Sequence, residues 1–208
     1  MTDKEEQLLA LSDAAYDIYQ FLYKKDKAIG SEHHILYTGN LDAKIVVVKM
    51  HPNNTETFWA ERNNTHGDHL FNDEDGKAFK HGCSSIGFKP NDDFLFTTLM
   101  PFYNKNVNGY TPQILREFGW IFTGLLDIIK PDIVMALGYK TFSGAMANFG
   151  YDVNLEDFEV DIAMGEPFYF VDKMVFAGLP DKCFSTKNNS NILRKLYNYY
   201  TKEKDGRT

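Results

Sequence analysis

Cysteine is nearly absent from this chain: Cys83 and Cys183 are the only two in 208 residues. That excludes a disulfide framework and any four-cysteine zinc or iron–sulfur site, and both thiols are expected to be reduced and buried. Long apolar runs are missing as well. The longest purely aliphatic stretch, Ile45 to Val48, falls far short of the roughly 20 residues that a membrane helix needs. Met1 to Glu6 carry no apolar signal core, so a soluble, cytosolic protein with no membrane partner is expected. There is no internal repeat and no low-complexity tract, which excludes solenoids and flexible scaffolds. Positive charge is missing from one region in particular. Residues 151–172 contain Asp152, Glu156, Asp157, Glu159, Asp161, Glu166 and Asp172 and neither Lys nor Arg, whereas residues 173–208 hold eight basic and three acidic side chains. The net charge of −7 argues against indiscriminate adhesion to nucleic acid. A basic C-terminal face can still meet a phosphate backbone, and the acidic segment can still meet a protein partner.

What remains is the composition of a globular protein. Apolar residues make up 43%, with 17 Phe and 12 Tyr, enough to build one core in a single domain spanning 1–208. Glu5 to Lys25 place Leu8, Leu11, Ala15, Ile18 and Leu22 at three- and four-residue spacings, which predicts a helix within an N-terminal segment of residues 1–30. Four short β-branched or aromatic runs read as strands: Ala43 to Val48, Phe94 to Met100, Asp132 to Leu137 and Lys173 to Ala177. Helical spacing follows three of them, over Gln113 to Ile129, Lys140 to Asn148 and Asn191 to Tyr200. Alternation of this kind predicts an α/β fold, a three-layer sandwich around a central four-stranded, mainly parallel sheet. Residues 202–208 are expected to form a disordered tail. In parallel sheets the chemistry sits beyond the carboxyl ends of the strands. Those ends are Met50 to Asn54, Thr97 to Tyr103, Gly138 to Lys140 and Gly178 to Asp181.

The residues at these ends carry a resemblance. Thr38 to Val48 followed by Met50-His51-Pro52, Gly67 to Phe71 with Gly76, Ile86 to Thr98, Ile129 to Gly138, and Gly178-Leu179-Pro180 run in the order and approximate spacing of the motifs of the uracil-DNA glycosylase superfamily. The chain most resembles the iron–sulfur branch of that superfamily, from about residue 36 to residue 200. The resemblance implies a uracil-DNA glycosylase-like sheet, base flipping and hydrolysis of a base–sugar bond. It departs from the family at the reacting positions. Lys49 stands at the first-motif Gly, His51 where active members carry Asp, Asn or Ala, Thr98 at the base-reading Asn, and Leu179 at the His that stabilises the departing base. The cluster-binding cysteines are absent, so no cofactor is expected.

Breaking a base–sugar bond requires the base to leave the stack, water to reach the sugar carbon, and charge on the departing base to be stabilised. His51 is the candidate for handling water, because a neutral imidazole is a competent base near pH 7. Asn53, in the same loop, is a candidate to position that water, although as a turn former it needs no function. Phe71 is the candidate to stack on an extruded base, with an ordinary core position as the plain alternative. Thr98, Leu179 and Asp181 complete the expected base-binding set, Thr98 offering one hydroxyl where an amide reads both donor and acceptor. Lys182, Ser185, Thr186 and Lys187 are candidates to hold DNA phosphates, and a solvated helix start explains the same residues. His66, His69, His81 and Cys83 are zinc-compatible ligand types, but their spacing matches no known ligand pattern and no metal is expected. The leading functional expectation is a divergent DNA glycosylase-like hydrolase acting on an altered base. The alternatives are a catalytically silent binding module of the same fold and an enzyme of free nucleotides.

Overall fold

The structure is a computed structural model that describes residues 1–23, 37–53, 70–101, 111–180 and 187–204. Its elements in chain order are α1 (Asp3–Tyr23), β1 (Tyr37–Gly39), β2 (Ile45–Lys49), α2 (Glu74–Ile86), α3 (Pro90–Asp93), β3 (Phe94–Thr98), α4 (Pro112–Ile129), β4 (Ile133–Leu137), α5 (Tyr139–Ala147), α6 (Leu155–Met164), β5 (Phe168–Val171), β6 (Met174–Leu179) and α7 (Lys187–Lys204). The strands form one sheet in the order β1-β3-β2-β4-β6-β5. Its four inner strands are parallel, and they correspond to the four apolar runs of the sequence.

The expected four-stranded sheet is therefore a six-stranded mixed one. β1 joins β3 and β5 joins β6, both antiparallel. Neither edge strand announces itself in the sequence. β1 is three residues long, and β5 reaches β6 through Asp172 and Lys173, without the Asn-Gly or Asp-Gly pair that marks a tight hairpin. Asp172 takes the left-handed conformation that the turn needs, at φ 53°. At the C-terminus, α7 extends through Lys204, two residues past the point where the tail was expected to begin.

Alternation along the strands feeds two cores. Val46, Val48, Leu95, Val134, Ala136 and Phe176 face one side, where Phe118, Phe122 and Leu125 of α4, Phe142 and Met146 of α5, and Phe158 of α6 cover them. Helix α1 packs outside α4, with Leu11 seated over Gly124. Ile45, Val47, Phe94, Phe96, Ile133, Met135, Val175 and Ala177 face the other side, against Phe79 and Cys83 of α2 and Ile192, Leu193 and Leu196 of α7. Helices thus cover both faces, and a parallel strand covered on both faces is apolar at every position rather than at alternate ones.

Among the described residues, one acidic side chain lies inside this packing, at the amino end of the sheet. Asp93 is 8% exposed. It accepts hydrogen bonds from the Lys89 backbone N–H at 2.8 Å and from the Tyr200 hydroxyl at 2.8 Å, which ties the start of β3 to the last turns of α7. Burial, together with the Asp93 carboxylate, pushes the Tyr200 hydroxyl well above the ordinary tyrosine value. Burial and the hydrogen bond to Asp161 likewise push Tyr169 up to about 12. A tyrosine whose folded-state value is raised stabilises the fold below its unfolded value and loses that contribution as pH climbs through the folded one. Urea denaturation is therefore expected to show stability falling between about pH 10 and about pH 12, where unfolded tyrosines have ionised and these two have not. In a Tyr169→Phe/Tyr200→Phe variant the fall over that window is shallower. An identical pH slope in the variant contradicts the assignment.

Candidate functional site

Period-two alternation decides which side chains meet at the carboxyl end of the sheet. Ile45 and Val47 face the α2/α7 core, so Lys49 projects on that side; Thr98 follows Phe96, Leu137 follows Met135 and Leu179 follows Ala177 in the same way. Lys49 pairs with Thr98 and Leu137 with Leu179, while the step after the Val48–Ala136 pair brings Lys49 beside Leu137. The result is one transverse row across four strands: a hydroxyl, an ammonium and two aliphatic side chains. Backbone bonds carry the ladder past the strand ends and hold the row in place, Leu99 N–H to the Lys49 carbonyl and Met100 N–H to the Met50 carbonyl, both at 2.8 Å, and Gly138 N–H to the Leu179 carbonyl at 2.6 Å.

Asp73 organises the polar half of this site. It caps α2, its Oδ1 accepting from the Gly76 N–H at 2.8 Å. Its Oδ2 accepts from Asn53 Nδ2 at 2.9 Å and lies 3.9 Å from Lys49 Nζ. One carboxylate therefore joins the loop after β2, the last residue of β2 and the first turn of α2. The Lys49 side chain is 17% exposed, and its ammonium also stands 4.9 Å from the centroid of the Phe71 ring.

Phe71 is a core residue in this arrangement. It is 2% exposed, its ring lies 4.9 Å from that of Phe96 and 6.4 Å from that of Phe79, and its backbone sits at φ 61°. The close approach of Gly76 makes that conformation possible, because a Cβ there would collide with the Phe71 backbone. A ring so enclosed presents no open face to an incoming base. Leu179 is likewise fully buried. Thr98 is 5% exposed, and its hydroxyl has no hydrogen-bond partner among the described residues. An unpaired buried hydroxyl costs about 1–3 kcal/mol, which a ligand atom at the row would recover.

His51 lies two residues past the end of β2 and is half-buried. Its Nδ1 is 2.7 Å from the Pro52 carbonyl. A carbonyl oxygen only accepts, so Nδ1 carries the hydrogen in this bond; when the ring is neutral, its lone pair then lies on Nε2. That is the tautomer a general base requires. Asn53, by contrast, turns its amide to Asp73 and serves to fix the loop.

His51, Asn53, Phe71, Thr98 and Leu179 thus all lie at one end of the sheet, Phe71 and Leu179 enclosed there. Asp181, Lys182, Ser185 and Thr186 lie outside the described residues, and Lys187 opens α7. His66 and His69 also lie outside them. His81 is exposed and Cys83 buried, two residues apart on α2 and hence on opposite sides of it. Among the described residues no group of three His, Cys, Asp or Glu side chains could hold a metal ion, and no helix is long and apolar enough to cross a membrane.

Comparison with protein-family models and with curated proteins finds no match to this chain.

Lys49 and Asp73 are site residues outside the expected catalytic and base-binding set. Asp73 does carry a signal, since Asp followed by Glu74 and Asp75 before a helical run is an N-cap with an acidic first turn. Its second role, joining to Asn53 across twenty residues of sequence, has no local signature. Lys49 is visible in the sequence as the departure from the first-motif Gly, and the parity of the β2 run gives the face it projects from. Replacing Asp73 with Ala is expected to destabilise the protein by about 1 kcal/mol through loss of the cap. Asp73→Asn keeps the cap and most of the stability. Urea midpoints for the two variants decide it; equal losses contradict the capping assignment.

Proposed function

We propose that the protein hydrolyses the N-glycosidic bond of an altered base in DNA, with the reaction at the carboxyl end of β2 and β3. The observation that carries this reading is His51 at that strand end with Nδ1 2.7 Å from the Pro52 carbonyl, a hydrogen bond that in the neutral ring leaves the lone pair on Nε2. In the proposed reaction the nucleotide leaves the stack and enters the strand-end site. Nε2 of His51 takes a proton from a water whose oxygen bonds to the sugar carbon. The carbon–nitrogen bond breaks and its electron pair leaves with the base. The products are a free base and an abasic sugar.

Lys49 supports the same reading. A departing base carries negative charge, and the ammonium in the transverse row is a fixed positive group in a largely water-excluded position, the setting in which such stabilisation is strongest. It supplies a charge that Leu179, which has no polar atom, lacks. Thr98 offers its hydroxyl to the edge of the base, and Asp181, Lys182, Ser185, Thr186 and Lys187 are the remaining proposed contacts to base and phosphates.

A specific observation favours a second reading, a silent nucleic-acid or protein-binding module. Phe71 and Leu179 are enclosed at 2% and 0% exposure, so the ring proposed to stack on a base is already packed. Mass spectrometry of free bases separates the two. The protein is incubated with oligonucleotides carrying uracil and oxidised, deaminated or methylated bases. The hydrolase reading expects one base to be released, and His51→Ala to slow that release about 10²–10⁴-fold, the usual range for a general base. No release from any oligonucleotide, or release unchanged in His51→Ala, overturns it.

A further inference from the structure

Away from the carboxyl-end row, the last turn of α6 and the middle of α7 frame a cavity of about 320 Å³, a size that takes a small organic group rather than a single water. Helical spacing sets its α7 wall. Ile192, Leu193 and Leu196 turn into the core against the sheet, while Asn191, Arg194, Lys195 and Asn198, three or four residues apart, line the cavity. Met164 and Gly165 stand across from them, where α6 ends. That end lies near the carboxyl end of β6, because the Gly178 N–H donates to the Pro167 carbonyl at 3.0 Å.

Lys195 builds the cavity. Its Nζ donates to the Gly165 carbonyl at 2.9 Å and to Glu166 Oε1 at 3.1 Å. These bonds join the two walls, and the ammonium offsets both the Glu166 carboxylate and the partial negative charge at the end of α6. The positive charge that remains is that of Arg194. It has no hydrogen bond or ion pair among the described residues, and neither has the side-chain amide of Asn191 or Asn198. Asparagine is a poor helix former at exposed interior positions, where Ala, Lys or Glu suit the backbone better. Neither asparagine sits at an end of α7 or packs in the core, so neither capping nor packing accounts for them.

A guanidinium between two amides on one wall calls for a ligand rich in acceptor oxygens. A carboxylate is satisfied by the guanidinium fork alone, whereas a phosphate has further oxygens for the amides on either side. The volume also leaves room for an organic substituent against the Met164 side chain. We infer that this cavity binds a phosphate ester, Arg194 meeting its charge and Asn191 and Asn198 donating to its remaining oxygens. The inference stands on the cavity and not on base release at the strand ends. A free phosphomonoester and the backbone of a nucleic acid strand both supply the group, and the test separates these sources.

The test is NMR titration of the full chain with inorganic phosphate, ribose 5-phosphate and a short oligothymidylate, each at constant ionic strength with sodium chloride as the control. The phosphate probes are expected to shift the amides of residues 163–165 and 191–198 and the Arg194 Nε–H saturably, and chloride to leave them unmoved. Arg194→Gln should weaken this binding by more than about tenfold, and Asn191→Ala/Asn198→Ala by a smaller factor. All three side chains are exposed, so melting temperatures close to wild type confirm that the variants fold. Tighter binding of ribose 5-phosphate than of the oligothymidylate assigns the cavity to a free phosphomonoester, and the reverse order assigns it to a nucleic acid strand. Absence of saturable shifts at these residues with all three probes, shifts that chloride reproduces, or wild-type affinity in Arg194→Gln overturns the inference.

Discussion

From Ile45 to Val48 every side chain of β2 is fully buried, alternate residues entering two different cores. No position inside the strand can carry a polar group without leaving it unpaired in apolar surroundings. β4 is buried in the same way through Ala136, whereas β3 carries the polar Thr97 at 0% exposure and its burial continues through Met100. Lys49 and Thr98 are the first polar side chains on their face. The location of the site is a consequence of two-sided burial, which pushes every reactive group to the strand ends and lets the ladder bonds fix their spacing.

The groups gathered there depend on one another through Asp73. Its two oxygens serve different masters: one closes the first turn of α2, and the other draws Asn53 and faces Lys49. Helix position, loop position and the local charge of the site are therefore coupled in a single side chain. Phe71 shows the other side of the same economy of space. With Gly76 against its backbone and Lys49 over its ring, Phe71 is part of the packing, and His51, Lys49 and Thr98 are polar groups at the carboxyl end of the sheet.

Much of this was legible in the sequence, and the parts that were not share a cause. The four parallel strands and the helices α1, α4, α5 and α7 come from patterns that neighbouring residues set by themselves: β-branched runs, three- and four-residue spacings, and the Thr111-Pro112 start of α4, where the Thr111 hydroxyl accepts from the Ile114 N–H. β1 and β5 are short and polar or aromatic, and they become strands because β3 and β6 offer them an edge, which is a tertiary fact. His51 and Thr98 lie at the carboxyl ends of β2 and β3, where the strand pattern puts them. Phe71 reads identically as a stacking ring or a core ring, since one Phe among 17 carries no local mark of which it is. Asp73 reaches Asn53 only after the chain has folded back, so its wider role had no sequence pattern at all.

The central claim is that the carboxyl-end row, with His51 beside it, is where this protein meets its ligand. The most direct measurement is NMR chemical-shift mapping of the full chain titrated with a short DNA duplex containing an abasic-site analogue, the product side of the proposed reaction. The account predicts that the largest shifts fall on Lys49, His51, Asn53, Asp73 and Thr98. Shifts that leave these residues unmoved and gather instead at the amino end of the sheet, around Asp93 and Tyr200, would contradict it.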